Sequence, residues 1–192
     1  MRKLVLAMMT AVNGRLDDPD AWTSGISDDH YREIDRGYAT FDTILVGRVT
    51  AAEMIDFWPG QRNQEGAGET HLAMAEKMHA YRKYVFTSDP DLALDWHNTE
   101  VVPVRDDDEL GAFVRELKSR PGADIHLSGG ARLAATLVRL GLVDEYRFFV
   151  HPVQSPGATW YGRLDDQLRL ELIKAQTFEN GVVALTYRPV SE

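Results

Sequence analysis

The chain has 192 residues, and a composition of 44% hydrophobic and 27% charged residues predicts a globular protein with one sizeable core. The absence of cysteine excludes disulfides and thiolate metal sites. A net charge of −9 disfavours general binding to nucleic acid, because an acidic surface repels phosphate backbones. The apolar run near the N-terminus is too short to span a membrane and lacks the layout of a secretory leader. We therefore expect a single cytoplasmic domain over residues 1–192, with no membrane association.

Strand-like and helix-like patterns alternate through the first two thirds of the sequence. The strands are short apolar runs, as expected where a sheet is covered on both faces. The helices carry apolar residues spaced by three and four, and Ser27 is the predicted N-cap of the first one. The polar, glycine-rich stretch 59–68 predicts a surface loop. The predicted strands are 4–9, 43–46, 83–87, 101–104 and 124–127, and the predicted helices cover 31–38, 51–58, 72–78, 110–117 and 131–140.

The last third of the sequence has a different pattern. Residues 145–150 are strand-like, and 168–175 and 182–187 predict a hairpin around the turn signal Glu179-Asn180-Gly181. The alternation slips once, at Leu172-Ile173, which indicates a bulge. The whole order predicts an α/β sandwich with a mainly parallel central sheet and an antiparallel C-terminal hairpin.

The first candidate site is the turn Gly47-Arg48-Val49-Thr50, where a buried strand runs into a helix. Free backbone N–H groups and the dipole at a helix start attract anions, and glycine allows a ligand to approach closely. Arg48 can add a bidentate contact to a phosphate, and Thr50 can add a hydroxyl. The alternative is that Thr50 caps the helix and Arg48 is solvated.

A second strand-to-helix turn reads Ser128-Gly129-Gly130-Ala131-Arg132-Leu133. It matches neither the Rossmann fingerprint nor the P-loop, and a Gly-Gly pair can also mark nothing more than a tight turn. Ligands of open α/β sheets, however, lie at the carboxyl ends of the strands. Two such turns, each with an arginine, suit a dinucleotide with three phosphates. Arg132 is the candidate for contact with a ribose 2′-phosphate, which favours NADPH over NADH.

Over nearly its whole length the sequence resembles the dihydrofolate-reductase-like proteins. KLVLAMMTAVNGRL at the start resembles their first strand and loop, and DTILVGRVT at 42–50 resembles their D-x-I-L-x-G-R-x-T segment. KYVFTS at 83–88 resembles the next strand on the cofactor side, and residues 124–133 resemble an I-x-V-x-G-G-x-x-L segment. GLVDEY at 141–146, followed by HPV at 151–153, is similar to the branch of the riboflavin biosynthesis reductases, the RibD C-terminal domain.

The resemblance implies a three-layer sandwich whose mainly parallel central sheet has about eight strands. It also implies that NADPH lies across the sheet, with a substrate cleft beside the nicotinamide, and that the chain forms a homodimer. The segment that follows HPV departs from the riboflavin branch, so the geometry of the substrate side is left open. Matched by position, the cofactor-binding residues are Gly47, Arg48 and Thr50 on the adenosine side, Thr87 and Ser88 near the adenine ribose, and Gly129, Gly130, Ala131, Arg132 and Leu133 around the pyrophosphate and 2′-phosphate.

The catalytic candidates are Asp28 and Asp29, because dihydrofolate reductases place a carboxylate at the start of the first helix to orient and protonate the substrate ring. The alternative is that both acids have no catalytic role and lie there only because the helix dipole favours negative charge at the start of a helix. Trp22, in the loop before them, is the candidate substrate-binding residue. His30 is interpreted as a partly exposed helix residue rather than a proton donor, and His126 as a satisfied structural histidine. The remaining histidines lack ligand-type spacing, so we expect no metal site.

The leading hypothesis is an NADPH-dependent oxidoreductase that transfers hydride to a small heterocyclic or opened-ring pyrimidine substrate. The resemblance suggests a reaction like that of 5-amino-6-(5-phosphoribosylamino)uracil reductase of riboflavin biosynthesis. The alternatives are dihydrofolate reductase and a non-catalytic module that binds NADPH, a pterin or a flavin. The expected partner is a small-molecule substrate.

Overall fold

The computed structural model describes residues 1–16, 18–23, 25–159, 162, 164 and 167–190. Their helices and strands follow the predicted order, with boundaries that differ by a few residues. None of the helices in these ranges is both long and apolar enough to cross a bilayer. The elements are β1 (Leu4–Ala11), α1 (Asp28–Tyr38), β2 (Phe41–Gly47), α2 (Arg48–Gln61), α3 (Glu69–Ala80), β3 (Arg82–Thr87), β4 (Thr99–Pro103), α4 (Asp107–Ser119), β5 (Asp124–Leu127), α5 (Ala131–Arg139), β6 (Glu145–His151), β7 (Leu170–Thr177) and β8 (Val183–Pro189).

All eight strands form one sheet in the order β4-β3-β2-β5-β1-β6-β8-β7. The pairs among β1 to β6 are parallel, whereas β8 runs antiparallel to both β6 and β7. The predicted bulge is present, because the register between β7 and β8 shifts between Leu172 and Lys174. The turn into β8 is closed by the Gly181 N–H, which donates to the Phe178 carbonyl at 2.9 Å. The predicted fold class, a mainly parallel α/β sheet with an antiparallel C-terminal hairpin, is confirmed.

The two faces of the sheet have separate cores, as the alternation of strand side chains requires. On one face, Leu6, Leu45 and Leu127 pack with apolar residues of α4 and α5. On the other, Ile44 and Val46 pack with residues of α1, α2 and α3. The part of the sheet formed by β1 to β5 is therefore sandwiched between helices, and its carboxyl rim is where the predicted glycine turns lie.

Helix α2 continues two residues past Pro59, so the predicted loop over 59–68 is wrong at its start and shrinks to 62–68. A proline inside a helix loses the bond from its own nitrogen to the carbonyl four residues earlier. Trp58, the residue before this proline, packs against the core, and that contact offsets part of the loss. The end of α2 is also tied to α3, because Gln61 Oε1 lies 2.9 Å from a ring nitrogen of His71.

The ammonium group of Lys83 is buried against the C-terminal end of α3. Lys83 is fully buried, and its Nζ donates to the carbonyls of Met78, His79 and Tyr81 at 2.8, 3.0 and 2.7 Å. The Trp96 ring covers the same group at 4.5 Å. Burial lowers the pKa of Lys83 to about 8, so the group is still mostly charged at neutral pH. The cation offsets the negative end of the α3 dipole and pairs carbonyls that would otherwise have no donor.

Replacing Lys83 with Met is expected to lower the free energy of unfolding by about 2–4 kcal/mol, because the substitution leaves buried carbonyls without a donor. The matched control is Arg82→Met, at the position just before Lys83. Arg82 pairs with Glu100, and both side chains are about half exposed, so this change should cost no more than about 1 kcal/mol. Urea unfolding of the two variants measures the difference, and equal losses would contradict this account of Lys83.

Candidate cofactor and substrate site

The two glycine turns predicted from the sequence meet at the carboxyl rim of the sheet. β2 and β5 are parallel neighbours, with Leu45 paired to Leu127, and the Ser128 N–H donates to the Leu45 carbonyl at 3.0 Å. A Cβ on Gly130 would lie 3.3 Å from Thr50 Oγ1. A Cβ on Gly47 would lie 3.9 Å from the Cβ of Leu133. The turn after β2 and the turn after β5 therefore form one continuous surface.

The backbone of this surface offers N–H donors. In the described ranges, neither the start of α2 at Gly47 nor the start of α5 at Gly130 has a hydrogen bond from a capping side chain. Gly129 and Gly130 have φ values of +94° and +79°, a conformation that L side chains rarely adopt. A Cβ on Gly129 would meet no heavy atom of the described chain within 4 Å, so open space lies beyond that backbone. Uncapped helix starts that face open space are suited to phosphate groups.

The side chains of Arg48 and Arg132 are exposed, and neither forms an ion pair with any carboxylate that the structure describes. They begin helices that cover opposite faces of the sheet, so the glycine surface lies between them. Arg132 lines a depression of about 290 Å³ together with Arg139 and Asp107, which pair with each other. Arg48 does not line that depression. The structure thus joins the two backbone turns and gives the two guanidinium groups separate positions around them.

The third predicted cofactor segment, Thr87-Ser88, lies at the end of β3, the neighbour of β2 on the side away from β5. Thr87 is buried, and its hydroxyl accepts a hydrogen bond from the Asp89 N–H at 3.0 Å. Ser88 is exposed. Three adjacent strand ends therefore carry all the predicted cofactor residues. Their contact with a cofactor stays a prediction.

The acids at the start of α1 differ in their surroundings. Asp28 is exposed, whereas Asp29 accepts hydrogen bonds from the Ser27 hydroxyl, the His30 N–H at 2.9 Å and the Glu179 N–H at 3.2 Å. The hydrogen bond from Ser27 is the main reason that the pKa of Asp29 lies below its usual value. Ser27 occupies the predicted N-cap position, but its hydroxyl binds this carboxylate. Asp29 thus ties α1 to the turn before β8, and a catalytic role of either acid stays a prediction.

The burial of His30, in α1, differs from the prediction. His30 was interpreted as partly exposed, yet it is 0% exposed, as is His151 at the end of β6. Their ring centroids are 5.6 Å apart, and Trp22 stands edge-on to His151 at 5.5 Å. Burial, followed by the neighbouring His151, lowers the pKa of His30 to about 4, and burial also lowers the pKa of His151. Both imidazoles are therefore neutral at pH 7.

Sequence reasoning missed this pair. His30 and Ile34 are four residues apart and share the buried face of α1, so the helical spacing could have indicated that His30 is buried. His151 lies one residue beyond the predicted strand and on the same face as Phe149. The contact between the two histidines joins residues from distant parts of the chain, and no local pattern encodes it.

The expectation that His126 is a satisfied structural histidine is wrong for one of its nitrogens. His126 is 1% exposed, and its Nδ1 has no hydrogen-bond partner among the described residues, while Nε2 lies 3.4 Å from the Ala7 carbonyl. Its ring stacks on Phe41 at 5.1 Å. Burial lowers the pKa of His126 to about 4. The described part of the chain contains no group of three or more His, Asp or Glu residues that could hold a metal ion.

The strand order and the joined glycine turns define the class of protein. The structure is similar to dihydrofolate reductase from Enterococcus faecalis complexed with NADP(H) and RAB-propyl, with a TM-score of 0.63 and 15% identity, covering 98% of this chain and 97% of that one. The fold is therefore that of the dihydrofolate-reductase-like proteins. Residues 2–184 match the RibD C-terminal domain, and the chain belongs to that family.

Two further proteins show how widely this arrangement is shared. A putative riboflavin biosynthesis protein from Shewanella sp. PV-4 has a TM-score of 0.69 at 12% identity, covering 98% of this chain and 99% of that one. The uncharacterized protein YyaP from Bacillus subtilis is 28% identical over 191 residues, which are 97% of this chain and 94% of the relative. Both similarities extend over nearly all of this chain, so they include the two glycine turns.

Replacing Gly130 with Ala is expected to destabilise the protein by about 1–2 kcal/mol, because alanine disfavours a φ of +79° and its Cβ would crowd Thr50 Oγ1. Gly60→Ala is the matched control. Gly60 lies in α2, and a Cβ there meets nothing within 4 Å in the described chain, so this variant should be unchanged or slightly more stable. Thermal unfolding of both variants tests the assignment, which fails if Gly130→Ala loses no stability.

Acid should destabilise the protein through its buried histidines. An unfolded histidine titrates near pH 6.5, and the pKa of folded His126 is about 4, so between these values the unfolded state binds more protons and stability falls as the pH falls. The His126→Phe variant, whose new ring can stack on Phe41, should lose roughly 3 kcal/mol less than the wild type over that interval. Urea unfolding at a series of pH values measures both curves. Parallel curves would show that His126 is not buried in its neutral form.

Proposed function

We propose that the protein is an NADPH-dependent oxidoreductase that transfers hydride to a small heterocyclic or opened-ring pyrimidine substrate. The observation that carries the proposal is the contact between the two glycine turns after β2 and β5 in a chain of the RibD C-terminal domain family. NADPH supplies the hydride when it is bound, and the protein supplies orientation and a dry environment.

The phosphates of the cofactor would be held by the glycine surface. The first N–H groups of α2 and α5 point to the same rim as the open space beyond Gly129. Because the protein carries a net charge of −9, such an anion site needs local positive potential. The uncapped helix starts supply it together with Arg48 and Arg132, which have no ion-pair partner among the residues that the structure describes. We assign Arg48 to the phosphates on the side of α2, and Arg132 to the ribose 2′-phosphate.

The substrate would bind on the other side of the rim, over the carboxyl ends of β1 and β6. β1 lies directly between β5 and β6, so two strand spacings, about 10 Å, separate β5 from β6 across the sheet. Along the strands, β6 ends about 16 Å beyond the level of Leu127, because Leu127 pairs with Leu6 whereas His151 pairs with Ala11. That span suits a cofactor whose phosphates rest on the glycine turns and whose reactive ring reaches β1. The start of α1 with Asp28 and Asp29 borders this region, as does Trp22. These residues are proposed to orient the substrate ring and exclude water.

We expect the wild-type protein to bind NADPH at least about tenfold more tightly than NADH. The reason is that a charge-assisted contact between Arg132 and a 2′-phosphate is worth roughly 1.5–3 kcal/mol. Arg132→Ala should reduce the preference to near unity, while Arg48→Ala should weaken the binding of both nucleotides. Isothermal titration calorimetry measures the affinities, and loss of NADPH absorbance with a panel of pterins and aminouracils measures turnover.

The control variant is Arg36→Ala, which removes the same charge from an exposed pair with Glu33 at the far end of α1. It should bind both nucleotides as the wild type does. Equal affinity of the wild type for NADPH and NADH would disprove the role of Arg132. If neither nucleotide binds, the proposed function itself is wrong.

A further inference from the structure

The His30–His151 pair is buried without the hydrogen bonds that burial normally requires. Within the described part of the chain, His30 Nε2 and both ring nitrogens of His151 have no hydrogen-bond partner. The fourth nitrogen, His30 Nδ1, lies 3.5 Å from the Asn180 side-chain nitrogen, at the limit of a hydrogen bond. Buried polar atoms in native proteins are nearly always paired, because an unpaired one retains its full desolvation cost. Three such atoms in one cluster make this a candidate site for a bound molecule that supplies the missing partners.

Aromatic rings surround the pair. His30 stacks on Phe178 and lies tilted against Phe149, with each centroid 4.9 Å away, and the two phenyl rings are 6.3 Å from each other. Trp22 stands edge-on to His151. The two phenyl rings add no donor or acceptor for the imidazoles. They form the kind of pocket in which a flat ring is held by its faces and selected by a few polar atoms at its edge.

The pair also lies at a functional position in the sheet. His151 is the last residue of β6 and pairs with Ala11, the last residue of β1. His30 is in the first turn of α1. Both histidines are therefore at the carboxyl rim, next to the ends of β1 and β6, where the proposed function places the substrate. The third buried histidine, His126, is instead near Tyr38 at the opposite end of α1, roughly 12 Å along the helix from His30.

The protonation state of the pair restricts what it can bind. A neutral imidazole has one N–H donor and one acceptor nitrogen, so two of them offer two donors and two acceptors. The groups that face them are the aromatic rings, the Asn180 amide and the carboxylate of Asp29, which adjoins His30 in the chain. An anionic group would be repelled by Asp29 and would find few donors. A lactam edge, in which a ring N–H adjoins a ring carbonyl, supplies both kinds of partner without a charge.

We propose that His30 and His151 form the floor of the substrate pocket and bind the uncharged lactam edge of a planar heterocycle once Trp22 has moved away from His151. This assignment rests on the proposed function, because it concerns the substrate side of the same site. The ring N–H of the heterocycle donates to one imidazole, and its carbonyl accepts from the other. Phe149 and Phe178 pack beside His30 and keep water out. The pair therefore selects a substrate by its hydrogen-bonding edge and not by its charge.

The probe is lumazine, a bicyclic lactam, and its matched control is 1,3-dimethyllumazine, whose pyrimidine ring has no N–H. Nitrogen-15 spectra of histidine-labelled protein report each imidazole, and His30→Phe, His151→Phe and His126→Phe assign the signals. We expect lumazine to shift the signals of His30 and His151, leave that of His126 in place, and change tryptophan fluorescence as Trp22 moves. The dimethyl compound should do none of this.

Affinity measurements give the second readout. His30→Phe and His151→Phe should each weaken lumazine binding about tenfold or more, whereas His126→Phe should leave it unchanged. Phenylalanine preserves the aromatic packing and removes unpaired nitrogens, so both variants should unfold at temperatures close to that of the wild type. If a Phe variant does not fold, His151→Gln takes its place. Its amide retains a donor and an acceptor and should keep most of the affinity.

The outcomes separate this proposal from the proposed function. Each titration is run with and without NADP⁺, which cannot donate hydride. If NADP⁺ and NADPH fail to bind while lumazine shifts His30 and His151, the reductase assignment is wrong and the histidine site stands. If the nucleotides bind but lumazine at millimolar concentration leaves both signals unchanged, the site is overturned. It is also overturned if the dimethyl compound shifts them equally, since the pair would then be structural or hydrated.

Discussion

The candidate cofactor site depends on the parallel pairing of β2 with β5. The two strands are separated by about eighty positions in the chain, and their pairing brings the turns that follow them into contact. The Ser128 N–H donates to the Leu45 carbonyl, which fixes the register at the last position before the turns. A slip of one residue would also turn Leu45 and Leu127 out of their core, so the packing of the sheet holds the ligand surface in place.

The carboxyl rim of the sheet has two regions of different chemistry. The ends of β3, β2 and β5 carry glycines, hydroxyls and helix starts, which suit phosphates. The ends of β1 and β6 border a buried cluster of aromatic rings and two histidines, where we propose that a flat ring binds. The proposed cofactor site requires positive potential in a strongly acidic protein, and the candidates that supply it are a short stretch of backbone and two arginines.

The order of elements and both glycine turns could be predicted from the sequence, because each follows from short-range patterns of apolar residues and glycine. The bulge near Leu172 was also predicted, since a bulge interrupts a two-residue period within one strand. The continuation of α2 through Pro59 could not be predicted, because it depends on the packing of Trp58 against the core. The burial of His30 beside His151 depends on a contact between distant segments, and the separate positions of Arg48 and Arg132 depend on which face each helix covers.

The position of β8 has a consequence for how the protein is made. β8 is the last strand of the chain, yet it lies between β6 and β7 in the sheet. During synthesis β7 leaves the ribosome first and has no neighbour to pair with until β8 follows, so its apolar residues Leu172 and Ile173 stay without a partner strand. The hydrogen bonds from the Glu179 N–H to Asp29 and from the Asn180 side chain to the Gly25 carbonyl form only at that stage. The aromatic cluster around His30 is therefore completed only when β8 has been added, and a nascent chain that stalls before β8 has the glycine turns but lacks the strand that holds this cluster in place.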